Sequence, residues 1–161
     1  MTTQQIASER TLCFILKEDT ILLGMKIKIA QGHGNYNGFG GGVEPGESPE
    51  EAAIRELTEE SGLTAELQDL EHKATIEFYF PFRPEWNQRV RVYFLRSWQG
   101  EPRETEEMKP EWFPLGAMPY NKMWDSDRRW LPLLLDGKRI KASFTWKEDN
   151  KTVDSYTIDE I

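Results

Sequence analysis

Apolar and polar residues alternate in several short runs, and these runs outline a sheet. Thr11–Lys17 reads as a strand, Glu18-Asp19 as a turn and Thr20–Met25 as the hairpin partner. Gln88–Leu95 alternates most cleanly, with Val90, Val92 and Phe94 on one face and Arg89, Arg91 and Tyr93 on the other. Thr64–Leu70 and Lys73–Phe80 are expected to be extended, and Ala142–Trp146 with Val153–Ile158 to form a closing hairpin around Asp149-Asn150. Two stretches carry helix signals instead. Ser48, Pro49 and Glu51 form a capping-box start, and Gly62 supplies the stop. A second helix is expected over Asp127–Asp136, capped by Ser126, closed by Gly137 and bent by Pro132. Hairpins mixed with helices predict an α/β fold whose sheet is mixed rather than doubly wound and parallel.

Between the first hairpin and the first helix lies a glycine-rich loop over 31–46, with Gly32, Gly34, Gly38, Gly40, Gly41, Gly42 and Gly46 interrupted by Tyr36, Asn37 and Phe39. Loops of that length are uncommon in compact domains unless they carry function.

The chain has 161 residues, enough for one domain, and the expected domain spans 1–161. Six Trp, five Tyr and eight Phe exclude a disordered chain, because large rings supply the burial that offsets ordering entropy. The single Cys13 excludes an internal disulfide framework and a cysteine-rich zinc module. No apolar run reaches the roughly 18 to 20 residues of a membrane span, and Met1–Arg10 lacks the apolar core of a signal peptide. A soluble, cytoplasmic monomer is expected, with no nucleic-acid and no membrane partner. The net charge of −8 opposes general nucleic-acid binding, which rewards a basic face.

The acid is concentrated. Glu44, Glu47, Glu50, Glu51, Glu56, Glu59, Glu60 and Glu66 crowd one stretch, and a helix brings Glu56, Glu59 and Glu60 onto one face. Like charges three and four apart repel, and carboxylates in the last turns oppose the negative end of the helix dipole. Local rules broken together mark functional sites. Hard oxygen ligands in such a cluster suit Mg²⁺ or Mn²⁺, and a bound dication makes an acidic site attractive to phosphate. Phosphate-ester or anhydride hydrolysis follows as the expected chemistry.

Gly41-x5-Glu47-x7-Arg55-Glu56-Leu57-x-Glu59-Glu60-x-Gly62-Leu63 fits every fixed position of the Nudix box. Seven strict matches have chance odds on the order of 10⁻⁷ per starting position, so this signal is specific. The chain resembles the Nudix (MutT) hydrolases, and among them the branch acting on oxidised purine nucleoside triphosphates such as 8-oxo-dGTP. That likeness extends to Leu22–Lys26, Asn37–Gly41, Glu107–Pro110 with Trp112-Phe113, Lys122–Trp124 and Trp130–Leu135. The resemblance implies a curled mixed sheet sandwiched between helices, and Mg²⁺-dependent release of pyrophosphate from a nucleoside triphosphate, sanitising the nucleotide pool. It implies metal ligation by the Gly40 carbonyl with Glu56, Glu59, Glu60 and Glu107, and pairing of Arg55 with a box carboxylate. It implies that Lys26 meets the phosphates. Thr11, Asn37, Phe39, Met108, Trp124 and Asp127 would line a base pocket, with Phe78 and Phe80 as neighbours. Glu47 is left as either structural or water-ordering.

Two positions depart from the resemblance. Ser126 stands where relatives carry the first of two adjacent acids, and Tyr36 stands where they carry Trp. Without the neighbouring acid, Asp127 is expected to stay ionised and to favour guanine-type edges, which offer two donors. The alternatives are a dinucleoside polyphosphate hydrolase, for which Tyr79 lies at a matching distance past the box, and a nucleotide-binding module without catalysis.

Overall fold

A computed structural model describes residues 5–27 and 35–161 of the chain. Its strands are β1 (Ser8–Lys17), β2 (Thr20–Lys26), β3 (Tyr36–Asn37), β4 (Leu70–Tyr79), β5 (Gln88–Leu95), β6 (Met108–Pro114), β7 (Ile140–Trp146) and β8 (Val153–Glu160); its helices are α1 (Pro49–Ser61) and α2 (Asp127–Leu135). The strands form one mixed sheet in the order β3-β2-β1-β5-β4-β7-β8, with β6 also paired to β2. The β1–β5 and β4–β7 pairs are parallel, and the other pairs are antiparallel.

Alternation along β1 sends its side chains into two cores. Phe14 and Leu16 join Ile76, Val92 and Phe94 beneath Trp130, Leu131 and Leu134 of α2. Cys13 and Ile15 join Leu22, Leu63 and Leu95 beneath Leu57 of α1. The sheet thus lies between the two helices, as expected. Cys13 is fully buried, and burial pushes its thiol up to about 12, which makes it a small hydrophobe rather than a nucleophile.

One irregularity creates the site. Only Ile15–Lys17 of β1 pair with β2, while the rest of that edge is open. Chain from the glycine-rich stretch fills the gap: Tyr36-Asn37 pair with β2, and Phe39 and Gly42 then bridge to Cys13 and Arg10 of β1. The expected loop is therefore strand-like from Tyr36 to Gly42, while Gly32, His33 and Gly34 lie outside the described residues.

Helix α1 has the expected start. Ser48 Oγ accepts from the Glu51 amide at 3.1 Å, Glu51 Oε1 accepts from the Ser48 amide at 3.0 Å, and Gly62 ends the helix at φ 80°. Three expectations are corrected. Thr64–Leu70 is not one extended run, because a 3₁₀ turn over Leu67–Asp69 precedes β4. Ser126 occupies the cap position of α2, but its hydroxyl makes no capping bond. Strand β6 was not expected, since Pro110 and Pro114 with Lys109 and Glu111 obscure its alternation. It lies at a sheet edge, where proline is tolerated. No helix among the described residues is long and apolar enough to cross a membrane.

Candidate active site

The acidic end is built by α1 against the glycine-rich strand. Arg55 reaches from α1 to Glu47 through two bonds, Nε to Oε2 at 2.8 Å and Nη2 to Oε1 at 3.0 Å. The same guanidinium donates to the Gly42 carbonyl at 3.0 Å and to Glu56 Oε1 at 2.9 Å. A planar fork can hold these groups together, and a lysine cannot. Glu47 is thus tied into this arrangement, with Arg55 holding its carboxyl below the usual range. A Cβ at Gly41 would stand 2.5 Å from Glu56 Oε1, so any larger residue there would displace the Glu56 carboxylate.

Glu56, Glu60 and Glu107 each bring a carboxylate oxygen within 4.8 Å of the others. Glu60 is only 4% exposed and accepts the Gly40 amide at 2.8 Å. Burial first, then Glu56 and Glu107, push its carboxyl up to about 8 against the opposing Gly40 amide and Lys26. Glu56 is also raised, by burial above all, despite Arg55. Three acids held this close carry a charge excess that a divalent cation would relieve, and the donor set fits one. Phe39 and Gly41 turn their carbonyls toward β1, so strand alternation turns the Gly40 carbonyl away from it.

Glu59, expected as a ligand, is not part of this cluster. Its side chain is 50% exposed and faces Arg55 Nη1 at 3.6 Å. Glu107 arrives from a separate loop, and Thr105 secures it. The Thr105 hydroxyl donates to the Glu60 carbonyl at 3.0 Å and accepts from the Glu107 and Met108 amides at 3.3 and 3.2 Å. Nothing in the sequence around Thr105 signals that role, since its partner lies 45 residues away.

Beside the acids opens a cavity of about 210 Å³. Gly40, Glu60, Thr11, Lys26, Asn37, Met108, Trp124, Asp127, Phe78 and Phe80 all line it. Phe39 does not: it is fully buried in the core under α1, because its backbone pairing with Cys13 turns the ring that way. Asn37 uses its side-chain oxygen on the Gly38 amide at 2.8 Å, which leaves its NH₂ group for a ligand. Tyr79 points to the opposite face of the sheet and donates to Glu77, away from the cavity.

Several lining residues were not expected. Trp146 stacks on Phe80 with centroids 5.5 Å apart and meets Trp124 edge-on at 5.8 Å. Gln88, Trp86, Trp130 and Arg10 also contribute. A signal existed for Arg10 and Gln88: alternation places Arg10 on the face of β1 that carries Leu12 and Phe14, and Gln88 on the face of Val90 and Val92.

Asp127 Oδ2 and the indole nitrogens of Trp130 and Trp146 are buried without a hydrogen-bond partner among the described residues. Orphaned polar atoms around a cavity call for a ligand that can satisfy them. Burial pushes the Asp127 carboxyl from the usual 3.8 up to about 7. This corrects the expectation that Asp127 stays ionised beside Ser126: burial does what a second acid was expected to do.

Residues 8–134 match the NUDIX domain. The chain is 41% identical over 152 residues to a Mus musculus protein named "Oxidized purine nucleoside triphosphate hydrolase", and 40% identical to the Danio rerio protein of that name; each alignment covers 94% of both chains. It is 38% identical over 78 residues to the "8-oxo-dGTP diphosphatase" of Escherichia coli, covering 47% of this chain and 55% of that protein. In fold it is similar to a MutT protein of Bacillus halodurans, with a TM-score of 0.82, 24% identity and coverage of 94% and 97% of the two chains.

Proposed function

The chain belongs to the NUDIX family of hydrolases, and on that premise we propose that it hydrolyses oxidised purine nucleoside triphosphates such as 8-oxo-dGTP to the monophosphate and pyrophosphate. The observation that carries this reading is the junction of two unlike surfaces at Glu60. On one side stand three carboxylates suited to a divalent cation, and on the other an aromatic cavity with unsatisfied polar atoms. The names of the mouse, zebrafish and bacterial relatives supply the substrate class.

In this reading Glu56, Glu60, Glu107 and the Gly40 carbonyl would hold Mg²⁺ or Mn²⁺. The bound cation supplies charge neutralisation for the phosphates and acidifies a water. Arg55 keeps Glu56 in position through its bonds to Glu47 and Gly42. Lys26 offers a mobile positive charge to the phosphate next to Glu60. Water adds to an internal phosphorus, and the bond to the bridging oxygen breaks. Pyrophosphate leaves with that oxygen, and the released protons pass to solvent. Among the described residues neither a Ser/His nor a Cys/His pair lines the cavity, which argues for direct hydrolysis.

Trp124 and Trp146 offer ring faces and edges to a purine, while Asn37 and Asp127 meet its polar edge. With a carboxyl pushed up to about 7, Asp127 serves guanine-type edges when ionised and adenine-type edges when protonated. Tyr79 faces away from the cavity, which leaves the dinucleoside polyphosphate reading without its residue. The domain is taken as 1–161 and the working unit as a cytoplasmic monomer. The test is pyrophosphate release from a panel of oxidised and normal dNTPs and dinucleoside polyphosphates with Mg²⁺. Hydrolysis of 8-oxo-dGTP to monophosphate and pyrophosphate is expected, and orthophosphate as first product contradicts it.

A further inference from the structure

Trp124 and Asp127, which meet the base in the proposed reaction, are the two ends of one tight turn. The Asp127 amide donates to the Trp124 carbonyl at 3.0 Å, with Asp125 and Ser126 at the corner between them. On the Asp127 side the turn is anchored by α2, whose Trp130, Leu131 and Leu134 are buried in the core. The Trp124 side has no such element behind it, since Trp124 stands in irregular chain before the helix.

Asp125 anchors that side. Its Oδ2 accepts the Val153 amide at 2.9 Å, across 28 residues of chain. Among the described residues this is the one hydrogen bond that leaves the turn for the sheet. Arg128 Nε lies 3.9 Å from the other carboxylate oxygen, too far for a hydrogen bond, so the amide is the partner that fixes Asp125. Val153 opens β8 and pairs with Trp146 where the β7–β8 register shifts, with Asp154 as the extra residue. Trp146 in turn meets Trp124 edge-on. Two contacts therefore join the same two segments, ring against ring and carboxylate against amide. A charged acceptor on a backbone N–H is the stronger kind of hydrogen bond.

We propose that Asp125 is a positioning residue for base recognition: it ties the Trp124–Asp127 turn to β8 and so holds the Trp124 ring beside Trp146. The proposal rests on the nucleoside triphosphate reading given above and deepens it. Asp125 itself does not line the cavity, although Trp124, Ser126 and Asp127 all do. It acts through its neighbour. A ring that walls an open cavity must keep its place before the ligand arrives, or binding must also order it. A ring held beforehand favours the base that fits it best, and a loose ring accepts others.

The experiment compares kcat and KM on 8-oxo-dGTP and dGTP for the wild type, Asp125→Ala, Asp125→Asn, Trp124→Leu and the Ala–Leu double variant. Asp125→Ala is expected to lose about five- to thirtyfold in kcat/KM on 8-oxo-dGTP, through KM, and less on dGTP. Its kcat and its Mg²⁺ titration should stay at the wild-type values. Asp125→Asn keeps an acceptor oxygen and should recover most of the loss. The double variant should be little worse than Trp124→Leu alone, because both changes act through one ring. In the free protein, hydrogen exchange at the Val153 amide should quicken in the Ala variant and not in the Asn variant. Asp125→Ser, polar but too short to reach the amide, takes the place of the Ala variant if that one does not fold. Equal losses on the two nucleotides, additive effects with Trp124→Leu, or unchanged Val153 exchange would each overturn the proposal. A wild type inactive on both nucleotides overturns the functional reading, and the proposal with it, whatever the Val153 amide does.

Discussion

The two ends of the site are built in opposite ways. At the acidic end, Gly40, Gly41, Gly42, Glu47, Arg55, Glu56 and Glu60 come from one short stretch, and every one of these side chains or backbone groups is held by a named hydrogen bond or close approach. At the aromatic end, Asn37, Gln88, Trp124, Asp127 and Trp146 come from distant strands, one loop and one helix, and three buried polar atoms have no partner among the described residues. The first end is preorganised around its own charges, while the second is completed by what it binds. Loss of a group should therefore act on rate at the acidic end and on selectivity at the aromatic end.

The largest effect is expected from Glu60→Gln or Glu56→Gln. Either change removes one donor from the three-acid cluster and should lower activity by about 10² to 10⁴. Melting temperature should stay level or rise, because a crowded acid has been neutralised. Near wild-type turnover of Glu56→Gln at saturating Mg²⁺ or Mn²⁺ would erase the contrast between the two ends.

Next is Arg55→Lys, which keeps a charge but loses the fork that binds Glu47, Gly42 and Glu56 together. Roughly 10- to 100-fold should be lost in activity, with a right-shifted metal titration. A metal titration unchanged from wild type would show that Glu56 needs no such support.

Asp127→Asn probes the other end. It should leave kcat on the best substrate nearly unchanged and alter the preference between guanine-type and adenine-type bases by about five- to a hundredfold. The buried carboxyl titrates at about 7 in the folded chain, above its usual 3.8. Its neutral form therefore favours folding fully below about pH 4, and that contribution is lost as pH rises to about 7. Wild-type stability should fall over that window more steeply than that of Asp127→Asn, as chemical denaturation at several pH values would reveal. In the wild type, the 2-oxo-dATP to 8-oxo-dGTP rate ratio should fall as pH passes 7. Parallel stability curves for the two proteins would mean that Asp127 is not held neutral.

The smallest effect is expected from Tyr79→Phe. Its hydroxyl bonds Glu77 on the outer face, so kcat/KM should stay within about twofold, the change expected at a surface position. A larger loss on dinucleoside polyphosphates would restore the reading that this tyrosine was expected to serve.

The contrast also governs how much was legible beforehand. Helix α1, its capping box, its glycine stop and the strand at Gln88–Leu95 follow from neighbours within a few residues, and the structure agrees with them. Strand β6 stayed hidden because an edge strand needs no clean alternation, so its prolines and charges read as loop. Phe39 was expected in the cavity by the family resemblance. Its side is set instead by pairing with Cys13, and that pairing has no local mark. Thr105 and Trp146 were missed for the same reason.

By itself the sequence determined the family, the acidic helix and the kind of chemistry, because periodicity, capping and box spacing act over a few residues at a time. Only the tertiary structure decided that Glu59, expected beside Glu56, Glu60 and Glu107, stands outside the acid cluster. It also decided that burial in place of a second acid raises Asp127. Each of those outcomes depends on which distant segments meet and how much water they exclude. Proximity and burial of that kind belong to the folded chain, and no stretch of sequence carries them.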